Sequence, residues 1–207
     1  MVLVDYKKGK ELLSKYKINS IESKYLNNFD DLLKFSDSLN NANIVLKAVS
    51  QNPIALHKSK QGLVELDLRT KQELKQAYER LVKKAEKFKP YKILAQKMIK
   101  GIEIIVGGKI DQQFGKVILI GLGGIYVEIL KDFQLRVCPI DNKSANDMIE
   151  NLKSKQIILN NIKKQDIIEL LINASKLFTE NNIQELDLNP IIIHDNKLEA
   201  VDIRILE

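Results

Sequence analysis

Glu185-Leu186-Asp187-Leu188-Asn189-Pro190 and, a short way on, Ala200-Val201-Asp202-Ile203-Arg204 form the most informative pair of runs in the chain. Between them lies His194-Asp195-Asn196-Lys197, suited to a tight turn because Asp and Asn tolerate left-handed backbone angles. A turn centred on Asp195-Asn196 pairs Asn189 with Asp202 and Asp187 with Arg204 in an antiparallel ladder. Strand side chains alternate, so these four groups share one face. Two carboxylates, an amide and a guanidinium among Ile, Leu and Val are costly to bury without compensation. A divalent cation holding nucleotide phosphates would compensate, because Mg²⁺ takes oxygen ligands, commonly one or two from the protein with phosphates completing its shell. A surface hairpin with a cross-strand Asp187–Arg204 ion pair fits the same spacing, and spacing alone leaves both readings open.

Working back along the chain, the glycine cluster Gly121-Leu122-Gly123-Gly124 separates the apolar run Val117 to Ile120 from Ile125-Tyr126-Val127-Glu128. Such a cluster permits positive φ angles and close backbone approach, or a tight hairpin turn. Its spacing is not the dinucleotide fingerprint of a strand-to-helix turn, and no Gly-Lys-Ser/Thr follows as in a Walker A loop. Around it, the pattern predicts strands at 93–99, 102–110, 116–120, 125–130 and 133–137, then helices at 144–153 and 164–180. The N-terminal half reads helix (8–17), strand (18–25), helix opened by Asn28 or Asp30, and strands at 42–48 and 63–68. A helix from Thr70 to about Phe88 follows, with Glu73 completing a capping box. This order predicts an α+β protein of two lobes, residues 1–100 and 101–207, dividing near Lys97 to Gly101.

The 207 residues are 44% apolar, mainly Ile, Leu and Val, which suits a sheet-containing soluble core. The net charge of +6 comes from Lys spread along the chain with acidic residues interleaved. It predicts a solvated surface with a local positive site for phosphates. No nucleic-acid reading motif and no aromatic stacking pattern accompanies it. The single Cys138 allows neither an intrachain disulfide nor a cysteine metal site, and its strand-like setting marks a small core residue. Met1 to Lys10 has no apolar stretch of signal-peptide length, and the longest apolar runs are far too short to span a bilayer. A cytoplasmic chain with no membrane partner is the expectation.

The run from Gly101-Ile102-Glu103 through Gly107, Asp111-Gln112-Gln113-Phe114-Gly115, Gly121-Leu122-Gly123-Gly124, Val127-Glu128, Lys131-Asp132 and Arg136-Val137-Cys138-Pro139 closely resembles the ATP-grasp (beta) subunit of ADP-forming acyl-CoA synthetases. These are relatives of the succinyl-CoA synthetase beta subunit, and the resemblance extends from about Lys10 to Glu207. The terminal hairpin resembles that family's metal-binding hairpin. The resemblance implies an ATP-grasp fold, two α+β lobes with the nucleotide between them. It implies Asn189 and Asp202 as Mg²⁺ ligands, with Asp187 beside a phosphohistidine that it orients. Lys47 in Val45-Leu46-Lys47 would contact the phosphates of ATP or ADP. Gln96, Lys97 and Met98 would line the adenine site, and Glu103 would lie near ribose or adenine. His57, in the family-like segment Asn52-Pro53 to His57-Lys58-Ser59, would carry a phosphoryl group in transit, a step suited to a nucleophilic imidazole nitrogen. The implied reaction is acyl-CoA + ADP + phosphate to acid + CoA + ATP. The CoA-binding alpha subunit would be a separate chain, giving a hetero-oligomer such as α2β2.

Two departures accompany the resemblance. After His-Lys-Ser the family continues with Asp, one residue and two glycines, where this chain has Lys60-Gln61-Gly62-Leu63. Near Leu159-Asn160-Asn161 the family's Gly-x-Arg-Gly stretch is missing. They motivate a second reading, a degenerate ATP-grasp subunit that binds nucleotide or a partner without turnover.

Overall fold

The computed structural model describes residues 2–40, 42–50, 61–124 and 132–207. The chain forms two compact units, one of Ile21–Ile99 and one of Met1–Ser20 with Lys100–Glu207. One boundary between the units lies between Ile99 and Lys100, the other between Ser20 and Ile21. The first helix, however, belongs with the C-terminal unit, whereas grouping by sequence puts it with the small lobe.

In the unit Ile21–Ile99, four antiparallel strands lie in the order β1 (Ser23–Leu26), β4 (Tyr91–Lys97), β2 (Ile44–Ser50), β3 (Val64–Leu68). Helices α2 (Phe29–Ser38) and α3 (Lys71–Ala85) cover one face. Asn28 caps α2 by accepting from Asp31 N. Thr70 and Glu73 form the expected capping box on α3, which satisfies two otherwise orphaned donors. Leu32, Leu74, Ala77 and Leu81 from the helices meet Ile44, Leu46, Ala48, Ile93 and Ala95 from the sheet. Alternation then sends Val45, Lys47, Leu94 and Gln96 to the opposite face.

In the other unit, six strands form an antiparallel sheet in the order β10 (Ile203–Leu206), β8 (Glu185–His194), β5 (Ile102–Asp111), β6 (Gly115–Leu122), β7 (Phe133–Val137), with β9 (Lys197–Ala200) also pairing β8. Helix α4 (Asn142–Glu150) and a short helix α5 (Lys155–Leu159) follow β7, and α6 (Lys164–Glu180) precedes β8. Helix α1 (Tyr6–Lys15) lies on β10: a Cβ on Gly9 would come 3.1 Å from Ile203 Cγ2. The backbone of Val2 donates to Glu207, so the two chain ends form one edge.

Helix α6 packs against β5 and β6 through fully buried Phe178. Gly108 accommodates that ring, since a Cβ there would stand 2.9 Å from it. Lys116 on β6 closes the C-terminal end of α6 by donating to the carbonyls of Phe178 (2.5 Å) and Asn181 (2.8 Å), a favourable place for a cation. Glu150 on α4 bonds Lys155 and Lys164, joining three helices, and those two ammonium groups lower its pKa to about 2. Cys138 is partly buried, and burial pushes its thiol up, which fits a core residue and not a thiolate nucleophile. The strand expected at 125–130 lies outside the described residues.

Candidate functional site

The terminal hairpin has the register that its turn dictates. Asp195 and Asn196 both have positive φ, 45° and 56°, the primed geometry that matches strand twist. His194 pairs Lys197 and Ile191 pairs Ala200. Beyond a break in the partner strand, Leu188 pairs Ile203 and Asp187 pairs Arg204. In the break, Asn189 N donates to Asp202 O (3.3 Å) and Val201 N to Pro190 O (3.0 Å), so Asn189 stands opposite Asp202.

Against β5 the ladder shifts between Ile104 and Val106, so Asn189-Pro190 is a bulge facing Ile105 alone. A bulge re-aims side chains. Here Leu188 and Ile191 both reach the core, at 0% and 1% exposure, while Asn189 is exposed between them. Sequence alternation finds the shared face but carries no sign of this bulge.

On that face stand Glu185, Asp187, Asn189, Asp202 and Arg204. Glu185 is an addition to the expected set, although period-two alternation from Asp187 points to it. Arg204 Nη1 contacts Glu185 Oε1 at 3.3 Å. Asp187 is half-buried, and burial raises its pKa; nearby Asp202 and Glu185 add to the rise, and Arg204 opposes it. A carboxyl whose folded pKa exceeds its unfolded one helps the fold fully only below the unfolded value. That help is lost as pH rises through the folded value. Asp187→Asn is therefore expected to raise the melting temperature in EDTA at pH 7. The gain should shrink on acidification toward the ordinary carboxylate range. An equal or lower melting temperature at pH 7 would contradict this reading of the site.

Beside the hairpin, Glu103 on β5 pairs Ile192, and its carbonyl accepts from Gly123 N at 2.6 Å. A Cβ on Gly123 would lie 2.9 Å from the Glu103 backbone, so the glycine loop presses directly on this residue. Gly124 has φ +70°, and a Cβ there would come within 3.0 Å of the Glu103 carboxylate. Loop and Glu103 are thus held together by the absence of side chains. Residues 125–131 lie outside the described set.

In the unit Ile21–Ile99, Lys47 is 7% exposed and pairs Leu94, while Gln96 is 0% exposed and pairs Val45. Strand β2 is flanked by β4 and β3, so Lys47 sits on an interior strand and not on an edge. Desolvation of an ammonium there favours an anionic neighbour. Lys97 N bonds Glu22 O and Met98 N bonds Asn43 O, and both side chains are half-buried. Lys47 and Gln96 share one sheet face; Glu103, Asp187, Asn189 and Asp202 lie in the other unit. His57 lies outside the described residues.

Among the described residues no three His, Cys, Asp or Glu side chains converge into a metal cage. A carboxylate and an amide on adjacent strands form instead an open pair of oxygen donors, which suits a cation completed by phosphates. No helix among the described residues is long and apolar enough to cross a membrane.

The family model for the ATP-grasp domain matches residues 2–206. The beta subunit of acetate–CoA ligase (ADP-forming) II from Pyrococcus furiosus is 34% identical, over 99% of this chain and 91% of that one. The acetyl-coenzyme A synthetase 1 of Ca. Korarchaeum cryptofilum, solved with coenzyme A and Ca-AMPCP, superposes with a TM-score of 0.88 at 30% identity over 99% of this chain and 93% of that one. A second structure of that enzyme holds coenzyme A and Mg-AMPPCP, with its phosphohistidine segment pointing towards the nucleotide binding site. It superposes with a TM-score of 0.81 at 31% identity, over 99% of this chain and 92% of that one. The chain belongs to the ATP-grasp domain family and stands among the beta subunits of ADP-forming acetate–CoA ligases.

Proposed function

We propose that this chain is the nucleotide-binding subunit of an ADP-forming acyl-CoA ligase, interconverting acyl-CoA, ADP and phosphate with acid, CoA and ATP. The observation that carries the reading is the register of the terminal hairpin, which sets Asn189 opposite Asp202 on one face with Asp187. Phosphoryl transfer asks a protein for positioning and charge neutralisation more than for covalent chemistry. Asn189 and Asp202 hold Mg²⁺, which neutralises phosphate charge. Lys47 binds the nucleotide phosphates. Gln96, Lys97 and Met98 receive the adenine, and Glu103 receives the ribose or adenine edge. Asp187 orients the phosphohistidine, and His57 carries the phosphoryl group in transit.

The acyl and CoA chemistry belongs to a separate alpha subunit, in a cytoplasmic hetero-oligomer such as α2β2. The name of the Pyrococcus furiosus relative, a beta subunit, supports that division of labour. Reconstitution tests it. The purified chain should form no ATP from acetyl-CoA, ADP and phosphate, and mixing it with a CoA-binding alpha subunit should start turnover. Robust turnover by the chain alone would overturn the reading.

A further inference from the structure

We propose that Arg204 is a direct ligand of the phosphoryl group being transferred, which in ATP is the γ-phosphate. The inference rests on the nucleotide-binding role proposed above and adds a residue to it.

Past the Leu188–Ile203 rung, two residues along from Asn189–Asp202, Asp187 pairs with Arg204, and β5 contributes Gly107 to the same rung with no side chain. The Arg204 fork is only lightly committed. Nη1 touches Glu185 at 3.3 Å in a pair whose side chains are 34% and 37% exposed. Nε is buried with no hydrogen-bond partner among the described residues. A buried, unsatisfied donor on a guanidinium calls for an acceptor, and the fixed fork of Arg matches phosphate oxygens.

Charge points the same way. Glu185, Asp187 and Asp202 confront any incoming phosphoryl group with three carboxylates. A cation held by Asn189 and Asp202 would neutralise part of the charge of such a group, and the guanidinium two residues away, roughly 7 Å along the strand, would neutralise more. In the direction that makes ATP, an oxygen of the ADP β-phosphate forms the new P–O bond while the P–N bond to the carrier imidazole breaks. The electron pair of the broken bond returns to the ring nitrogen. Arg204 supplies charge and hydrogen bonds to the moving group and no proton. Glu185 holds the fork in the rung until a phosphoryl group displaces it.

Calorimetric titration of MgADP and of Mg-AMPPCP into wild type, Arg204→Met, Arg204→Lys and Asp202→Ala tests the assignment. A contact to the third phosphate predicts that Arg204→Met lowers the AMPPCP-to-ADP affinity ratio by about tenfold or more, with Arg204→Lys recovering part of it. An unchanged ratio overturns the proposal. So does an equal loss for both nucleotides, since a merely structural residue acts on both alike. Asp202→Ala separates the two levels of argument: undiminished Mg²⁺-dependent binding there removes the hairpin from the site, whatever Arg204 does.

Discussion

Replacing Asp202 with Ala is expected to weaken Mg²⁺-dependent ADP binding by about 100-fold or more, above the range usual for removing an outer-shell partner of a metal site. Asp202 is the only charged member of the Asn189–Asp202 pair. It sits in the break between β9 and β10, where its backbone oxygen accepts from Asn189 N. Alanine keeps that bond, and the flanking core residues Ala200 (0% exposed) and Ile203 (7%) are untouched. The hairpin therefore stays folded, and the loss falls on the metal. Asn189→Ala removes a neutral donor and is expected to cost less, about tenfold. Isothermal titration with and without Mg²⁺ reads both. Mg²⁺-dependent binding by Asp202→Ala equal to wild type would show that the nucleotide is held elsewhere, and the candidate site would have to be abandoned.

How far the sequence carries this picture depends on the range of the physics involved. The hairpin register was legible because it is local: two residues that tolerate positive φ fix the turn, and the turn fixes every pair down to Asp187–Arg204. Helix α6 and strand β7 emerge with the bounds that periodicity predicts, and the Thr70–Glu73 capping box appears as read. The misses are non-local. The bulge at Asn189-Pro190 arises from pairing with β5, far away in sequence, and sits within the single continuous strand Glu185–His194. Helix α5 is too short to show a period; Asp132 anchors its start by accepting from Lys153 N (3.0 Å) and Ser154 N (2.7 Å). The first helix joins the C-terminal unit because β10 offers it Ile203 and Ile205, a partnership that no local pattern reveals. The roles of Lys47, Gln96, Lys97, Met98 and Glu103 came from resemblance; composition and spacing supply only their residue types.

With the alpha subunit present, His57→Asn is expected to lower turnover by about 10³-fold or more, because removing a covalent carrier forecloses a step and does not merely slow it. It should also abolish acid-labile phosphate labelling of this chain. Asn keeps a polar side chain of similar reach but has no nucleophilic ring nitrogen. The neighbouring sequence sharpens the test. Where the family has two glycines, this chain has Gly62 with φ +65° and then Leu63, fully buried, whose carbonyl accepts from Ala48 N at 2.9 Å. The second glycine position has thus become a core anchor tied to β2, and the Lys84 ammonium donates to the Gly62 carbonyl at 3.3 Å. The freedom that two glycines confer is reduced on this side of the His57 segment. If the relay survives, Leu63→Gly should destabilise the fold, yet labelling at His57 should persist or rise. Full turnover by His57→Asn without label on this chain would instead mean that the phosphoryl group passes to ADP from a carrier on the partner. The Lys60–Leu63 departure would then mark the loss of the intermediate histidine step.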